Sequence, residues 1–217
     1  MSFLNWQLYV IVDRAAVGRR SVESVAVSAI RGGADVIQFR DKKGPDHEVN
    51  QIARRLLLIT KKAGVALILN DRVEVARQVG ADGVHVGQDD WPVPKVREAV
   101  GETMIIGKST HSLEQAIAAQ AEGADYIGFG PLFATPTKPD YGSIGLDLIP
   151  KVAAVIKIPM VCIGGIDDTH VESVLQAGGR CLAVVRAVCA AEDPEAAAKN
   201  LKTKIVQFGR ATAPESL

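Results

Sequence analysis

The chain has 217 residues, a length that suits one domain with a large core, and its 25 basic and 25 acidic residues give a formal net charge of +0. This balance argues against nucleic acid or an anionic membrane surface as a partner, and no apolar run approaches the roughly 20 residues of a membrane span. Hydrophobic residues make up 47% of the chain and aromatic residues only 5%, so the core is expected to be aliphatic.

The two ends and the cysteines indicate the compartment and the domain plan. The N-terminus has no basic segment ahead of an apolar one, so no secretory signal is predicted. Cys162, Cys181 and Cys189 lack metal-site spacing and are expected to be buried, reduced thiols of a cytoplasmic protein. Residues 1–210 are predicted to form one domain, with 211–217 as a frayed tail. The oligomeric state stays open, a homo-oligomer included.

Short apolar runs alternate with longer segments of helical period along the whole chain. The helical period is clearest over 47–63 and 112–122. Continuous aliphatic strands that alternate with helices are typical of parallel sheets covered on both faces. The predicted strands lie near 7–13, 34–40, 65–69, 82–87, 104–108, 125–130, 159–164 and 181–185.

A faint repeat indicates that the sheet closes on itself. Gly-Ala-Asp stands just before a predicted strand at 33–35, 80–82 and 123–125, and Gly178-Gly179-Arg180 is a degenerate fourth copy. Each glycine fits a left-handed helix end, and each interval holds two strand–helix units. Four such quarters make eight strands, which predicts an α/β fold of the (β/α)8 TIM-barrel class. An open doubly wound sheet is the alternative.

Polar clusters follow the predicted strands, where the carboxyl ends of a parallel barrel collect its chemistry. On the second strand, Gln38, Arg40 and Lys42 are spaced by two and are expected to share the face that points into the barrel mouth. Ile37 and Phe39 would then point towards the helices. The alternative is an exposed strand whose charges form surface salt bridges.

Asp71 and Asp90 stand just past the third and fourth strands, which are neighbours in a barrel. Two carboxylates without a histidine pair suit a hard cation such as Mg²⁺, which needs few protein ligands beside substrate phosphates. Arg40, Lys42 and Lys138 would bind the remaining phosphate oxygens. The alternative for each aspartate is a helix N-cap.

Gly164-Gly165 follows the seventh strand and Val185-Arg186 the eighth, the two loops that often form the phosphate site of a barrel. Two histidines lie near the mouth. His85, within the fourth strand, is expected to be either a hydrogen-bonded core residue or a functional one, and His111, close to Ser109, is a candidate for the mouth. His170 opens a helix and is expected to be solvated.

In this order, these clusters resemble the thiamine-phosphate synthase family, and the resemblance covers nearly the whole chain. The matching stretches are Leu8–Asp13, Gln38–Lys42, Leu69–Arg72, Gly83–Asp90, Gly107–His111, Gly128–Lys138 and Ile163–Ile166. The resemblance implies a barrel transferase that joins 4-amino-2-methyl-5-hydroxymethylpyrimidine diphosphate to a methylthiazole with a phosphoethyl arm. It also implies that the products are thiamine phosphate and diphosphate, and that Mg²⁺ is required.

The resemblance also implies roles for single residues. Asp71 and Asp90 would bind Mg²⁺, and Ser109, Lys138 and Arg40 would be catalytic. The residues implied to bind the pyrimidine diphosphate are Gln38, Arg40, Lys42, Asn70, Ser109 and Lys138. Those implied to surround the thiazole phosphate are Thr135, Thr137, Gly165, Val185 and Arg186.

One position departs from the family pattern, since the pair after the eighth strand usually ends in serine and here ends in Arg186. Two other functions stay open. A related thiazole tautomerase has a similar barrel and a functional histidine at the position of His111, but does not need the paired carboxylates or the Gln-x-Arg-x-Lys strand. A barrel that senses phosphates of the thiamine pathway would bind ligand without turnover.

Overall fold

The chain folds as a closed barrel of eight parallel strands in chain order, as seen in a computed structural model that describes residues 5–134 and 142–211. The strands are β1 Leu8–Asp13, β2 Val36–Arg40, β3 Ala66–Asn70, β4 Gly83–Val86, β5 Ile105–Thr110, β6 Tyr126–Phe129, β7 Met160–Ile163 and β8 Cys181–Val184. Pairing of β1 with β8 closes the sheet. The predicted (β/α)8 barrel is therefore confirmed, and the open doubly wound sheet is wrong.

Helices follow the strands and cover the barrel. They are α1 Val22–Arg31, α2 Asp46–Ala63, α3 Val73–Val79, α4 Val93–Val100, α5 Leu113–Ala121, α6 Leu148–Val155, α7 Val171–Gln176, α8 Arg186–Cys189 and α9 Pro194–Ala211. Apart from Ala211, which ends α9, the predicted frayed tail lies outside the described residues. Within 5–134 and 142–211, no helix has the length and apolar character needed to cross a membrane.

The strand alternation separates two apolar layers. Ile37 and Phe39 of β2 point outward into a large aliphatic core between sheet and helices, as predicted. Inward-facing residues, among them Tyr9, Ile68 and Val161, form a smaller core in the lower part of the barrel. Polar residues replace apolar ones on the inner face towards the carboxyl ends of the strands, so the upper part of the barrel interior is free for a site.

The Gly-Ala-Asp repeat has a structural role beyond the predicted glycine turn. The glycines do take positive φ, for example 98° at Gly33 and 89° at Gly123. Each aspartate then accepts a hydrogen bond from a backbone N–H at the start of the preceding strand: Asp35 from Leu8 at 2.9 Å, Asp82 from Leu67 at 2.8 Å and Asp125 from Ile106 at 2.7 Å. The repeat therefore provides acceptors for backbone N–H groups at the amino-terminal rim of the barrel, where the hydrogen bonding between strands begins.

The three cysteines are buried and unpaired, as expected. Burial raises the pKa of the Cys162 thiol to about 12 and that of Cys189 to about 11. These side chains are therefore uncharged, small apolar groups of the core rather than nucleophiles.

Candidate active site

A cavity of about 500 Å³ opens at the carboxyl end of the barrel. Its size lies within the range typical of small-molecule sites. The cavity is lined on one side by residues of β2, β3 and β5, including Arg40, Asn70 and Ser109. The loops after β7 and β8 line the other side with Gly165, Val185 and Arg186. Predicted residues of both implied subsites thus share one cavity.

Hydrogen-bonded polar side chains form the floor of this cavity. Gln38 is 1% exposed and donates from Nε2 to the Tyr9 hydroxyl at 2.7 Å. The Tyr9 and Tyr126 hydroxyls lie 2.8 Å apart, and Tyr126 lies 3.0 Å from Nδ1 of His85. Nε2 of His85 contacts Oγ of Ser109 at 2.9 Å. His85 is therefore a buried, hydrogen-bonded residue and at the same time part of the cavity wall.

Burial controls the ionisation of the two phenols. Desolvation raises the pKa of Tyr9 and of Tyr126 far above the ordinary value, and the proximity of Tyr9 raises that of Tyr126 further. Both side chains therefore keep their protons at all ordinary pH values and act as neutral hydroxyl groups.

Arg40 lies two residues above Gln38 on the same inward face of β2 and forms an ion pair with Asp13 at the end of β1. The Asp13 side chain is 5% exposed and also accepts a hydrogen bond from Ala15 N–H at 2.9 Å. Such a partner holds the guanidinium in place at the cavity wall. Asp13 was not among the predicted site residues, although its spacing of two from Tyr9 and Ile11 assigns it to the inner face.

Lys42 differs from the prediction that placed it on the strand with Gln38 and Arg40. Strand β2 ends at Arg40, and Lys42 lies in the following loop, where its ammonium forms an ion pair with Asp71 after β3. The loop turns here because Asp41 accepts hydrogen bonds from the N–H groups of Lys43 and Gly44, at 3.1 and 2.8 Å. The two-residue period ends where the strand ends.

Asp71 has a φ of 60°, the only positive value of a non-glycine residue in the described part of the chain. Such backbone strain is concentrated at functional sites. Helix α3 begins after Arg72 and has no side-chain cap, so the capping alternative for Asp71 is wrong. Its carboxylate instead forms an ion pair with the Lys42 ammonium.

The loop after β4 folds back on itself through Asp90, which accepts a hydrogen bond from Gly87 N–H at 2.7 Å. Helix α4 begins after Pro92 without a side-chain cap, so Asp90 is not a helix cap either. Two groups fasten this loop to β5. Gln88 donates to the carbonyl of Ser109, and the buried Lys108 donates to the carbonyl of Gly87 at 2.8 Å.

At the other side of the cavity, Gly165 has a φ of 66°, and a Cβ there would come within 2.7 Å of Phe133 Cβ. Only glycine lets the loops after β6 and β7 approach this closely. No described residue accepts a hydrogen bond from the N–H of Gly165 or of Arg186. Free N–H groups at a glycine turn and a helix start are donors for an anion.

Two further histidines line the cavity. His111 contacts the carbonyl of Gly130 through Nδ1, so it reaches the mouth as expected. His170 stacks on Phe133 with ring centroids 4.0 Å apart, and its side chain is still 36% exposed, so the expected solvation holds in part. Its Nδ1 lies 2.9 Å from Asp167 without hydrogen-bond geometry. Although burial opposes ionisation of Asp167, hydrogen bonds from Thr169 and the nearby His170 lower the pKa of this carboxyl.

Three predicted site residues, Thr135, Thr137 and Lys138, lie outside the described residues. Sequence reasoning missed Tyr9, Tyr126 and Asp13. Tyr9 and Tyr126 face inward, but a lone tyrosine in an apolar strand reads as core, and nothing local predicts that their hydroxyls meet.

The donors present fit Mg²⁺. Among the described residues, no group of three or more His, Cys, Asp or Glu could hold a metal ion by itself. Asp71 and Asp90 are not among the residues that line the cavity, and each offers a carboxylate that caps no helix. Mg²⁺ is commonly bound by one or two carboxylates, with water and substrate phosphate completing the shell.

Comparison with known proteins agrees with this geometry. A family model described as thiamine monophosphate synthase matches residues 8–188. A thiamine-phosphate synthase of Chloroflexus aurantiacus is 45% identical over 203 residues, which cover 93% of this chain and 94% of that protein. One from a Roseiflexus species is 46% identical over 199 residues, covering 91% and 84%.

Among solved structures, a thiamine phosphate pyrophosphorylase from Pyrococcus furiosus superposes with a TM-score of 0.88 and 36% identity, covering 94% of this chain and 98% of that one. A 3-hexulose-6-phosphate synthase matches with a TM-score of 0.68 at 17% identity, which indicates a shared fold alone. The match over most of the chain and the barrel site together show that this protein is a transferase that belongs to the thiamine monophosphate synthase family.

Proposed function

We propose that the chain joins 4-amino-2-methyl-5-hydroxymethylpyrimidine diphosphate to 4-methyl-5-(2-phosphooxyethyl)thiazole, in a Mg²⁺-dependent reaction that yields thiamine phosphate and diphosphate. The observation that carries this proposal is the single cavity with anion-binding groups on two sides. Arg40, Asn70 and Ser109 line one side, and Gly165 and Arg186 line the other. A reaction between two phosphorylated substrates needs both sides, whereas rearrangement of one thiazole phosphate needs only one.

In the proposed reaction, the C–O bond between the pyrimidine methylene and the diphosphate breaks, and its electron pair leaves on oxygen. The electron-rich aminopyrimidine delocalises the cation that remains. The thiazole nitrogen then attacks the methylene carbon with its lone pair and forms the new C–N bond. No covalent enzyme intermediate is needed, in keeping with three cysteines that are buried away from the cavity.

Negative charge grows on the leaving diphosphate, so fixed positive groups aimed at it lower the barrier. Arg40 is held for this task by Asp13, and Lys42 lies beside Asp71. Lys138, which lies outside the described residues, is assigned the same role by resemblance. Asp71 and Asp90 would hold Mg²⁺, which would supply further charge neutralisation when bound. Asn70, Gln38 and Ser109 orient the pyrimidine diphosphate.

The thiazole phosphate is assigned to the loops after β6, β7 and β8. Gly165, Val185 and Arg186 belong to the described part of this subsite, and Thr135 and Thr137 complete it by resemblance. The backbone N–H groups of Gly165 and Arg186 have no described acceptor, and the Arg186 guanidinium adds a charge where the family usually has serine. The phosphate end is thus more basic than a serine would make it.

The test is an assay with both substrates, with and without Mg²⁺, that follows diphosphate release and thiamine phosphate formation. We expect both products in a one-to-one ratio, only with both substrates and Mg²⁺. The second candidate is the tautomerase, favoured by the position of His111 in the cavity wall. Isomerisation of a thiazole phosphate without diphosphate release would support that function instead. Binding of either substrate without turnover would support a sensor.

A further inference from the structure

The polar side chains on the cavity floor form one continuous chain of hydrogen bonds across the barrel. It runs from β2 through β1, β6 and β4 to β5, in the order Gln38, Tyr9, Tyr126, His85 and Ser109. Every step is between 2.7 and 3.0 Å long. The chain ends at Ser109, to which the proposed function assigns contact with the pyrimidine diphosphate.

The distances allow the protons to run in one direction along the whole chain. In that direction the Gln38 amide donates to Tyr9 and Tyr9 donates to Tyr126, where either hydroxyl can be the donor. Tyr126 would then donate to Nδ1 of His85. A His85 ring that accepts at Nδ1 carries its proton on Nε2 and would donate it to Ser109 Oγ.

In this direction Ser109 is an acceptor towards His85, and its own hydroxyl proton can point into the cavity that Ser109 lines. A hydroxyl that donates to a diphosphate oxygen stabilises the charge of the leaving group, whereas a hydroxyl that donates to His85 cannot. The direction of the whole chain thus decides which way the Ser109 proton points.

The fold makes room for these rings. A Cβ at Gly107 of β5 would lie 2.2 Å from Cζ of Tyr126 and 2.4 Å from Nδ1 of His85. A Cβ at Gly128 of β6 would lie 3.1 Å from Cε1 of His85. Beneath them, Trp6 stacks on Tyr9 at 5.9 Å and meets Tyr126 edge-on at 5.7 Å. Packing therefore holds the two hydroxyls and the imidazole in register.

We propose that Tyr126 and His85 are positioning residues that act through Ser109, by keeping the His85 proton on Nε2 and so turning the Ser109 hydroxyl proton towards the diphosphate. Neither residue needs to touch the breaking bond. This inference rests on the proposed function, because it takes Ser109 as a ligand of the leaving group.

The first test is a double-mutant cycle on the single-turnover rate with both substrates and Mg²⁺ saturating. We expect Ser109→Ala to slow the reaction roughly 10- to 100-fold, the worth of a hydrogen bond to a charged group, and Tyr126→Phe roughly 3- to 10-fold. In the Ser109→Ala background, Tyr126→Phe should have no further effect. Tyr9→Phe, which leaves the Tyr126–His85 step intact, should slow the reaction less than Tyr126→Phe.

Additive losses in the Ser109/Tyr126 cycle would overturn the inference and leave the proposed function standing. Full activity of Ser109→Ala would overturn it together with the assignment of Ser109. The second test needs no substrate. The ¹⁵N chemical shifts of His85 in the wild-type protein should report a neutral ring protonated on Nε2, and a ring protonated on Nδ1 would overturn the inference. Tyr126→Phe should shift this signal towards a mixture of tautomers.

Discussion

The ammonium of Lys108 lies 2.8 Å from the carbonyl oxygen of Gly87, although Lys108 is only 6% exposed. Lys108 is on the outer face of β5, and Gly87 begins the loop that carries Asp90. A buried lysine thus fastens the end of β4 to β5 beside the proposed metal ligand.

We expect Lys108→Met to loosen that loop more than it destabilises the protein. Loss of the hydrogen bond to Gly87 frees the loop, while removal of a buried charge offsets most of the lost stability. Amide exchange at 87–90 should accelerate, with the free energy of unfolding changing by less than about 1.5 kcal/mol. Lys95→Met is the control, because Lys95 instead covers the Trp91 ring at 4.1 Å. Unchanged exchange at 87–90 would contradict this role.

The pair Asp71 and Asp90 can be tested with substitutions that keep their shape. Asp71→Asn and Asp90→Asn should each lower Mg²⁺-dependent turnover by orders of magnitude, because an amide is a much weaker ligand for a hard cation. Asn at 90 still accepts from Gly87 N–H, so the loop should keep its fold. Binding of Mn²⁺ measured by electron paramagnetic resonance should weaken in parallel. Asp89→Asn, exposed in the same loop, is the control, and near-normal activity of the double variant would exclude the metal role.

Arg186 is exposed at the start of α8, on the side of the cavity assigned to the thiazole phosphate. Arg186→Ser should raise the KM for the thiazole phosphate by roughly one to two decades, since a charge-assisted hydrogen bond contributes about 1.5–3 kcal/mol. The KM for the pyrimidine diphosphate should stay unchanged. Arg54→Ser on α2 is the control, because it removes the same charge at a residue that does not line the cavity. The reverse pattern of KM changes would mean that the two subsites are exchanged.

Asp41 makes folding stability depend on pH. Burial opposes its ionisation, but hydrogen bonds from Arg14 and from the N–H groups of Gly44 and Lys43 outweigh burial and lower the pKa of this carboxyl. A lowered folded-state pKa stabilises the protein above the unfolded value of about 3.9, and this stability is lost as the pH falls through the folded pKa. Asp41→Asn should therefore reduce stability at pH 7 and flatten its decline below about pH 4. The free energy of unfolding would be measured by urea titration at several pH values. An equal dependence on pH in the wild type and the variant would contradict this role of Asp41.

Asp125 tests how far the aspartates of the Gly-Ala-Asp repeat stabilise the barrel through their hydrogen bonds to strand N–H groups. Its carboxylate accepts from Ile106 N–H at 2.7 Å and from Arg97 at 2.6 Å. Asp125→Asn should lower the free energy of unfolding by roughly 1–3 kcal/mol, because a charged acceptor is lost at a partly buried donor. Activity of the folded fraction should be unchanged, since this rim is opposite the cavity. Glu122→Gln serves as control, because Glu122 is exposed just before the repeat. An equally large loss of unfolding free energy in that variant would rule out a specific role of the Asp125 hydrogen bonds.

Local periodicity was enough to predict the barrel and the strand face on which Gln38 and Arg40 lie. Alternation along β2 separates Gln38 and Arg40 from Ile37 and Phe39, and both sides are found as predicted. The repeat predicted glycines of positive φ, and they occur at each copy. Such features can be predicted from local sequence, because the direction of each side chain follows from the period of its own strand or helix.

Which side chains meet was decided by closure of the sheet. Tyr9 and Tyr126 are 117 residues apart in the chain, yet their hydroxyls touch because inward-facing rings of a closed barrel share one interior. In the same way, the register of neighbouring strands places Asp13 beside Arg40 and Lys108 beside Gly87. Lys42 left its predicted face because Asp41 turns the chain after β2. The sequence by itself determined the faces and ends of the strands, and the tertiary structure decided their partners, because contact depends on strand order and register, which no local period encodes.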